Sequence, residues 1–298
     1  MAAGPRQRPR SRPPQSRRRQ KRRRRGSSSG MVGDLLARVI VALPAIVFAI
    51  LIVYYGGWVF AAGVLVLGVV CLHELFRMFE TRRPVKLAGF AALAGLTAAA
   101  EAGGERQVLL AAVSFVPLMF LLGLAMPRRE DSPVTLTDGM TVTVFGVFWI
   151  GLAIAHAVLL RGLPHGDGIV IDVLVGTFLG DTGAYFGGRF FGTRPLAPRV
   201  SPNKTVEGLA IGILVAIFAT WCAGLYQDWL SGTDAVLLGL AVALAAPLGD
   251  LFESQVKRDA GTKDAGSLFG AHGGALDRLD AAFFTLVAGY YVWLALGT

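Results

Sequence analysis

Apolar residues run through this chain in blocks, separated by short polar or charged stretches. A helix needs ~20 consecutive, mostly apolar residues to cross the hydrocarbon core of a bilayer. Windows of that length pick out nine blocks, at 35–55, 58–79, 86–100, 107–126, 140–160, 168–187, 206–226, 234–249 and 280–297. The fold class this predicts is all-α, a polytopic helical membrane protein with about nine transmembrane helices. No repeat of fixed period and no matched pair of glycine-broken blocks is visible, so a repeat-built transporter gains no support. One helical membrane domain over residues 31–298 is the economical description.

Composition agrees. Hydrophobic residues make up 54% of the chain and charged residues 16%, too little polar surface to cover the core of a water-soluble domain. The net charge of +9 belongs to one end, because residues 1–30 hold 12 Lys or Arg and no acid. The remaining residues carry 17 basic and 20 acidic side chains. That tail, rich in Pro, Gln, Gly and Ser, cannot bury enough apolar surface to offset its chain entropy. It is expected to be disordered, cytosolic and close to anionic headgroups, with no nucleic-acid partner.

Charge also sets a direction. Basic residues gather in alternate connections, at Arg82, Arg83 and Lys86, at Arg128 and Arg129, at Arg189, Arg194, Arg199 and Lys204, and at Lys257, Arg258, Lys263 and Arg278. The other connections hold only Arg106 and Arg161. By the positive-inside rule this is an N-inside, C-outside protein of the inner membrane. Cys71 and Cys222 lie in different apolar blocks, which supports neither a disulfide nor a thiolate metal site and suggests two small core residues.

Some charges sit where a membrane helix should not tolerate them. In the sixth block, Asp172 falls near the outer end and Asp181 nearer the inner end, where a carboxylate costs roughly 2.5–3.5 kcal/mol. Asp181 is therefore expected to face a polar cavity, a cation or a basic partner. Gly180, Gly183, Ala184, Gly187 and Gly188 around it would let a neighbouring helix approach closely. Glu74 and Arg77 have the i, i+3 spacing of an interfacial ion pair, and His156 reads as a satisfied core histidine. Past the sixth block, Thr205 or Ser201 can cap the next helix, and Arg199 and Lys204 beside a helix N-terminus make an anion site.

The segment 254–280 holds four basic and four acidic residues, His272 and five glycines. If the eighth helix runs on into the cytosol, Asp250, Glu253 or Ser254, and Lys257 share one face. Asp277 and Asp280, three apart, share a face at the start of the ninth. Carboxylates from two helix ends make a site for Mg²⁺, a hard cation that completes its shell with water and phosphate oxygens. Lys257, Arg258, Lys263, His272 and Arg278 supply donors for phosphate. Acids for a metal and bases for phosphate describe phosphoryl or nucleotidyl transfer; a solvated loop of self-paired charges is the plainer reading.

The order S-x-x-K-R-x4-K-D followed by H-G-G-x-x-D-R-x-D resembles the signature of the phosphatidate cytidylyltransferases, the CDP-diacylglycerol synthases. Ser254, Lys257, Arg258, Lys263, Asp264, His272, Gly273, Gly274, Asp277, Arg278 and Asp280 fill it. Gly180–Gly188 and Ser201–Gly208 also look like that family, so the resemblance covers roughly residue 180 to the C-terminus. It implies attack by the phosphate of phosphatidic acid on the α-phosphorus of CTP. It also implies Asp250 and Asp277 as ligands of Mg²⁺, with Asp280 or Asp181 close by and room for a second cation. Lys257, Arg258, Lys263, His272 and Arg278 would hold the triphosphate, and Ser201 and Lys204 the lipid phosphate. A CTP-dependent polyprenol kinase and an ion or solute transporter are the alternatives. The small-residue helix faces are compatible with a homodimer.

Overall fold

The computed structural model describes residues 43–125, 133–266 and 273–296. The arginine tail, Arg128, Arg129 and His272 lie outside the described residues. Two compact units are delimited, Met1–Val47 and Phe48–Thr298. Of the first, only Leu43–Val47 is described, and it is helical.

Nine helices are present among the described residues: α1 (Leu43–Tyr55), α2 (Gly57–Met78), α3 (Lys86–Gly103), α4 (Glu105–Ala125), α5 (Leu136–Gly162), α6 (Gly166–Phe191), α7 (Val206–Gly224), α8 (Gly232–Asp259) and α9 (Leu276–Ala295). Each coincides with one block of the hydrophobic pattern. Six of them, α2 and α4 to α8, are long and apolar enough to cross a membrane. The chain is thus a polytopic, all-α membrane protein. α3 is rich in alanine and glycine with Lys86 and Glu101 near its ends, and α9 carries Asp277, Arg278 and Asp280 in its first turns, which lowers the mean hydropathy of both.

Local signals place several starts. Thr135 and Asp138 form a reciprocal capping box at α5, with Thr135 N–H donating to Asp138 at 2.9 Å and Asp138 N–H to Thr135 at 3.2 Å. Ser231 accepts from Asp234 N–H at 3.1 Å to open α8. Within α5, Val147–Gly151 widens into a π-helical turn that carries Trp149. Its ring meets Phe252 edge-on, with centroids 4.9 Å apart. Large aliphatic residues of α2, α3 and α5, among them Leu72, Leu75, Leu93, Leu96 and Ile150, are fully buried. α4 and α7 keep broad apolar faces exposed, as Leu109, Leu121, Leu214 and Phe218 show. In a bilayer such faces are solvated by acyl chains.

Up-and-down threading collects alternate connections at the same end. At one end Val85 N–H donates to Thr143 at 2.8 Å, Arg82 pairs with Asp138 at 3.4 Å, and Leu276 N–H reaches Glu74 at 2.9 Å. At the other, Arg161 donates to the Val53 carbonyl at 2.8 Å, Tyr290 to Glu105 at 2.6 Å, and Trp293 to the Pro164 carbonyl at 3.0 Å. His165 stacks on Trp229 there, with ring centroids 4.2 Å apart.

Two expectations change. The connection between α6 and α7 is not a plain loop: Pro195–Ala197 (β1) pairs antiparallel with Ser201–Thr205 (β2), Pro195 opposite Thr205 and Ala197 opposite Ser201. Cys71 is buried as expected, but Cys222 is exposed on the apolar face of α7, because a lipid-facing position is as apolar in sequence as a core position.

Candidate active site

The site is built on a close pair of helices. α6 and α7 meet along small residues, as the glycines around Asp181 led one to expect. A Cβ on Gly208 would lie 2.7 Å from the Ala184 carbonyl oxygen, and one on Gly180 would lie 2.8 Å from the Ala216 Cβ. Neither position has room for a larger side chain. This contact sets the C-terminal half of α6, which carries Asp181, along α7, with Gly188 at Gly208 and Gly180 at Gly212 and Ala216. The helix α7 is capped by Thr205, which accepts from Gly208 N–H at 3.1 Å.

Glu207, in the first turn of α7, fastens the hairpin to that helix. It accepts from the Thr193 N–H at 3.0 Å and hydroxyl at 2.8 Å, and from Arg194 N–H at 3.1 Å and Nε at 3.0 Å. The hairpin thereby becomes a fixed arm. On it Lys204 pairs with Asp250 of α8, and Ser201 is half-buried at the start of β2. Arg258, at the far end of α8, donates to the Val200 carbonyl at 3.4 Å and closes the other side of the arm.

As the helical spacing required, α8 continues beyond the apolar block and places Asp250, Glu253 and Lys257 on one face. Lys257 bridges two acids, Glu253 at 2.6 Å and Asp277 at 2.7 Å, and all three side chains are nearly enclosed. Asp277 is further held by Ala265 N–H at 3.0 Å and Gly274 N–H at 2.7 Å. Its carboxylate therefore closes the glycine-rich connection onto the start of α9. Oxygens of Asp250, Glu253 and Asp280 lie within 4.8 Å of one another. Asp181 is near enough to interact electrostatically with Asp250 and Lys204, and Asp280 with Asp250, Asp181 and Lys257.

The structure thus brings Asp181, Lys204, Asp250, Lys257, Asp277 and Asp280 together from four elements. Lys257 links the acids, and Glu253 stands within side-chain reach of Asp277 as well as of Asp250 and Asp280. Asp277 does not belong to the three-carboxylate group and is occupied by Lys257 and two backbone N–H groups. Lys263 and Arg278 are exposed at the same end of the bundle.

Glu253 and Glu74 carry more in the fold than their spacing along the chain announces. Glu253 is 1% exposed and its Oε1 has no hydrogen-bond partner among the described residues. A buried carboxylate oxygen of this kind is costly unless a cation or a proton neutralises it. Its signal in the sequence was its place between Asp250 and Lys257 at i+3 and i−4. Glu74 was expected to pair with Arg77, yet it is buried and accepts from Leu276 N–H, 202 positions away, while Arg77 is exposed. No local spacing could have announced that partner.

Three carboxylates with one unpaired oxygen, flanked by two lysines, fit a divalent cation and the phosphate oxygens it would carry. His156 stands apart from this chemistry, with one ring nitrogen 2.7 Å from the Leu152 carbonyl and the other 3.0 Å from the Tyr291 hydroxyl. It is satisfied by its own surroundings, as expected.

A family model described as the cytidylyltransferase family matches residues 36–296. A phosphatidate cytidylyltransferase of Bacillus subtilis (strain 168) is 30% identical over 273 residues, covering 87% of this chain and 97% of that protein. One from Synechocystis sp. is 30% identical over 293 residues, covering 85% of this chain and 94% of the relative. One from Mycobacterium tuberculosis (strain ATCC 25618 / H37Rv) is 36% identical over 161 residues, 54% of this chain and 49% of that protein. The chain spans about half the length of the mycobacterial relatives it matches and nearly all of the other two.

Proposed function

Because this chain belongs to the cytidylyltransferase family, we propose that it condenses CTP with phosphatidic acid to give CDP-diacylglycerol and pyrophosphate. A phosphate oxygen of phosphatidic acid forms the new bond to the α-phosphorus of CTP, and the bond from that phosphorus to the bridging oxygen breaks as pyrophosphate leaves. The nucleophile is already an oxyanion, so no strong general base is needed. Rate then comes from alignment and from neutralising charge. The observation that carries this reading is the group of Asp250, Glu253 and Asp280 set beside Lys204 and Lys257 at the end of an apolar bundle.

Asp250 and Asp280, with Glu253 beneath them, would hold Mg²⁺, and Asp277 stands one lysine away. The bound ion would draw negative charge off the triphosphate and orient its α-phosphorus. Asp181, across from Asp250, is the residue nearest to hand for a second cation. Lys257, Arg258, Lys263 and Arg278 offer cationic donors to the triphosphate and the departing pyrophosphate. Lys204 and Ser201, on the arm, suit the phosphate of a lipid arriving from the bilayer.

The same reading sets orientation. Lys and Arg gather at the site's end of the bundle, while the opposite end carries Tyr54, Trp58, Trp229 and Trp293. By the positive-inside rule the charged end faces the cytosol, where CTP is dissolved, and the chain lies in the inner membrane.

Purified protein in detergent, given labelled CTP and phosphatidic acid with and without Mg²⁺, tests the reaction. Label in CDP-diacylglycerol with release of pyrophosphate, only when Mg²⁺ is present, is the expected result. Formation of CDP together with a phosphorylated lipid alcohol would make the protein a kinase instead. Cation flux without any CTP turnover would make it a transporter.

A further inference from the structure

Helix α9 carries Asp277 and Asp280 in its first turns, but its own N-terminus is poorly made. The cap position is Ala275, whose side chain can accept nothing, so no side-chain cap hydrogen bond is made there. The missing acceptor comes from α2. Glu74, 5% exposed, accepts from Leu276 N–H at 2.9 Å. Two glycines of the connection, Gly266 and Gly274, press against it so closely that a Cβ on either would overlap the carboxyl group. The carboxylate also lies at the positive end of the helix dipole.

We propose that Glu74 is a positioning residue for the cation site. It substitutes for the absent cap of α9 and sets where Asp280 and Asp277 stand relative to Asp250, Glu253 and Lys257. The inference rests on the reading of the site given above, and it concerns reach rather than charge. Lys257 joins Asp277 to α8, and Gly249 of α8 packs on the Asp280 backbone, while Ala265 and Gly274 bond Asp277 from inside the connection. Glu74 adds a tie from this end of α9 to α2, whose packing on α3 and α5 is fixed by the core.

Mn²⁺ serves as the probe, because its binding to the purified full-length protein is read by electron paramagnetic resonance without turnover. Glu74→Gln keeps length, volume and an acceptor oxygen, so its Mn²⁺ dissociation constant is expected within about fivefold of wild type, the size of one charge–dipole interaction. Glu74→Asp keeps the charge but withdraws it by roughly 1.5 Å. It is expected to raise the dissociation constant roughly 10- to 100-fold, as loss of a group that orients a ligand does. Glu74→Ala should match Glu74→Asp, and the Gln and Asp variants decide the matter if the Ala variant does not fold. Rescue by Gln and not by Asp is the result a merely structural acid would not produce.

Equal Mn²⁺ affinity in all variants overturns the proposal, as does an Asp variant closer to wild type than the Gln variant. A wild-type protein that binds no Mn²⁺ overturns it as well. Wild-type protein that binds Mn²⁺ but forms no CDP-diacylglycerol would leave Glu74 in its role and remove the proposed reaction.

Discussion

Both ends of this helix bundle bury carboxylates, and they do so in opposite ways. At the aromatic end Asp172 is fully buried, and each of its oxygens accepts from the amide nitrogen of Gln227 at 3.0 Å. At the charged end Asp181, Asp250, Glu253, Asp277 and Asp280 converge with Lys204 and Lys257 between them. A lone acid matched by a neutral amide holds α6 to the connection between α7 and α8. Several acids crowded around two lysines, with an oxygen of Glu253 left over, repel one another unless a cation binds or a proton is shared among them. The contrast separates a structural carboxylate from a chemical one without reference to any motif.

Removing one charge from the crowded end tests the contrast most severely. Asp250→Asn should reduce CDP-diacylglycerol formation more than roughly 100-fold, beyond what supporting residues of metal sites usually contribute. Turnover above a tenth of wild type would show that Asp250 is not a ligand. Asp277→Asn is next, with an expected loss of roughly 10- to 100-fold and a folded protein by thermal unfolding in detergent. A loss as large as that of Asp250→Asn would place Asp277 among the ligands as well.

The opposite end should answer differently. Asp172→Asn puts an amide beside the Gln227 amide, so two neutral groups can still pair. It is expected to lower stability by about 1 kcal/mol and leave the dependence of turnover on Mg²⁺ unchanged. A shifted Mg²⁺ dependence would mean that the two ends are coupled. Smallest of all, Thr205→Ala removes the cap of α7 and should destabilise the protein by ~1 kcal/mol. Its KM for phosphatidic acid should rise more than its KM for CTP, because β2 and Lys204 end at that cap; equal changes would detach the arm from lipid binding.

Legibility followed the range of the interaction. Each of the nine hydrophobic blocks holds a helix among the described residues, because helix formation depends on runs of neighbours along the chain. The face shared by Asp250, Glu253 and Lys257 follows from 3.6 residues per turn, and the close approach at Gly180 and Gly208 from side chains that are simply small. Asp181 is visible as a charge in a costly place, and Asp250, Lys257, Asp277 and Asp280 as charges gathered at the ends of two apolar blocks.

What could not be read was how those charges sort among themselves. The resemblance offered Asp250 and Asp277 together, and the fold sets Glu253 between them, close to Asp250 and Asp280 on one side and sharing Lys257 with Asp277 on the other. Nor could spacing tell that Glu74 would turn from Arg77 to Leu276, that Cys222 would face outward, or that residues 195–205 would fold back as a hairpin. Periodicity reports which side of a helix is apolar, and by itself it determined that this is a membrane bundle with its charge concentrated at one end. Which helix faces which, and at what height, is settled by packing between distant segments. Only that packing decides which acids share a space small enough for one ion.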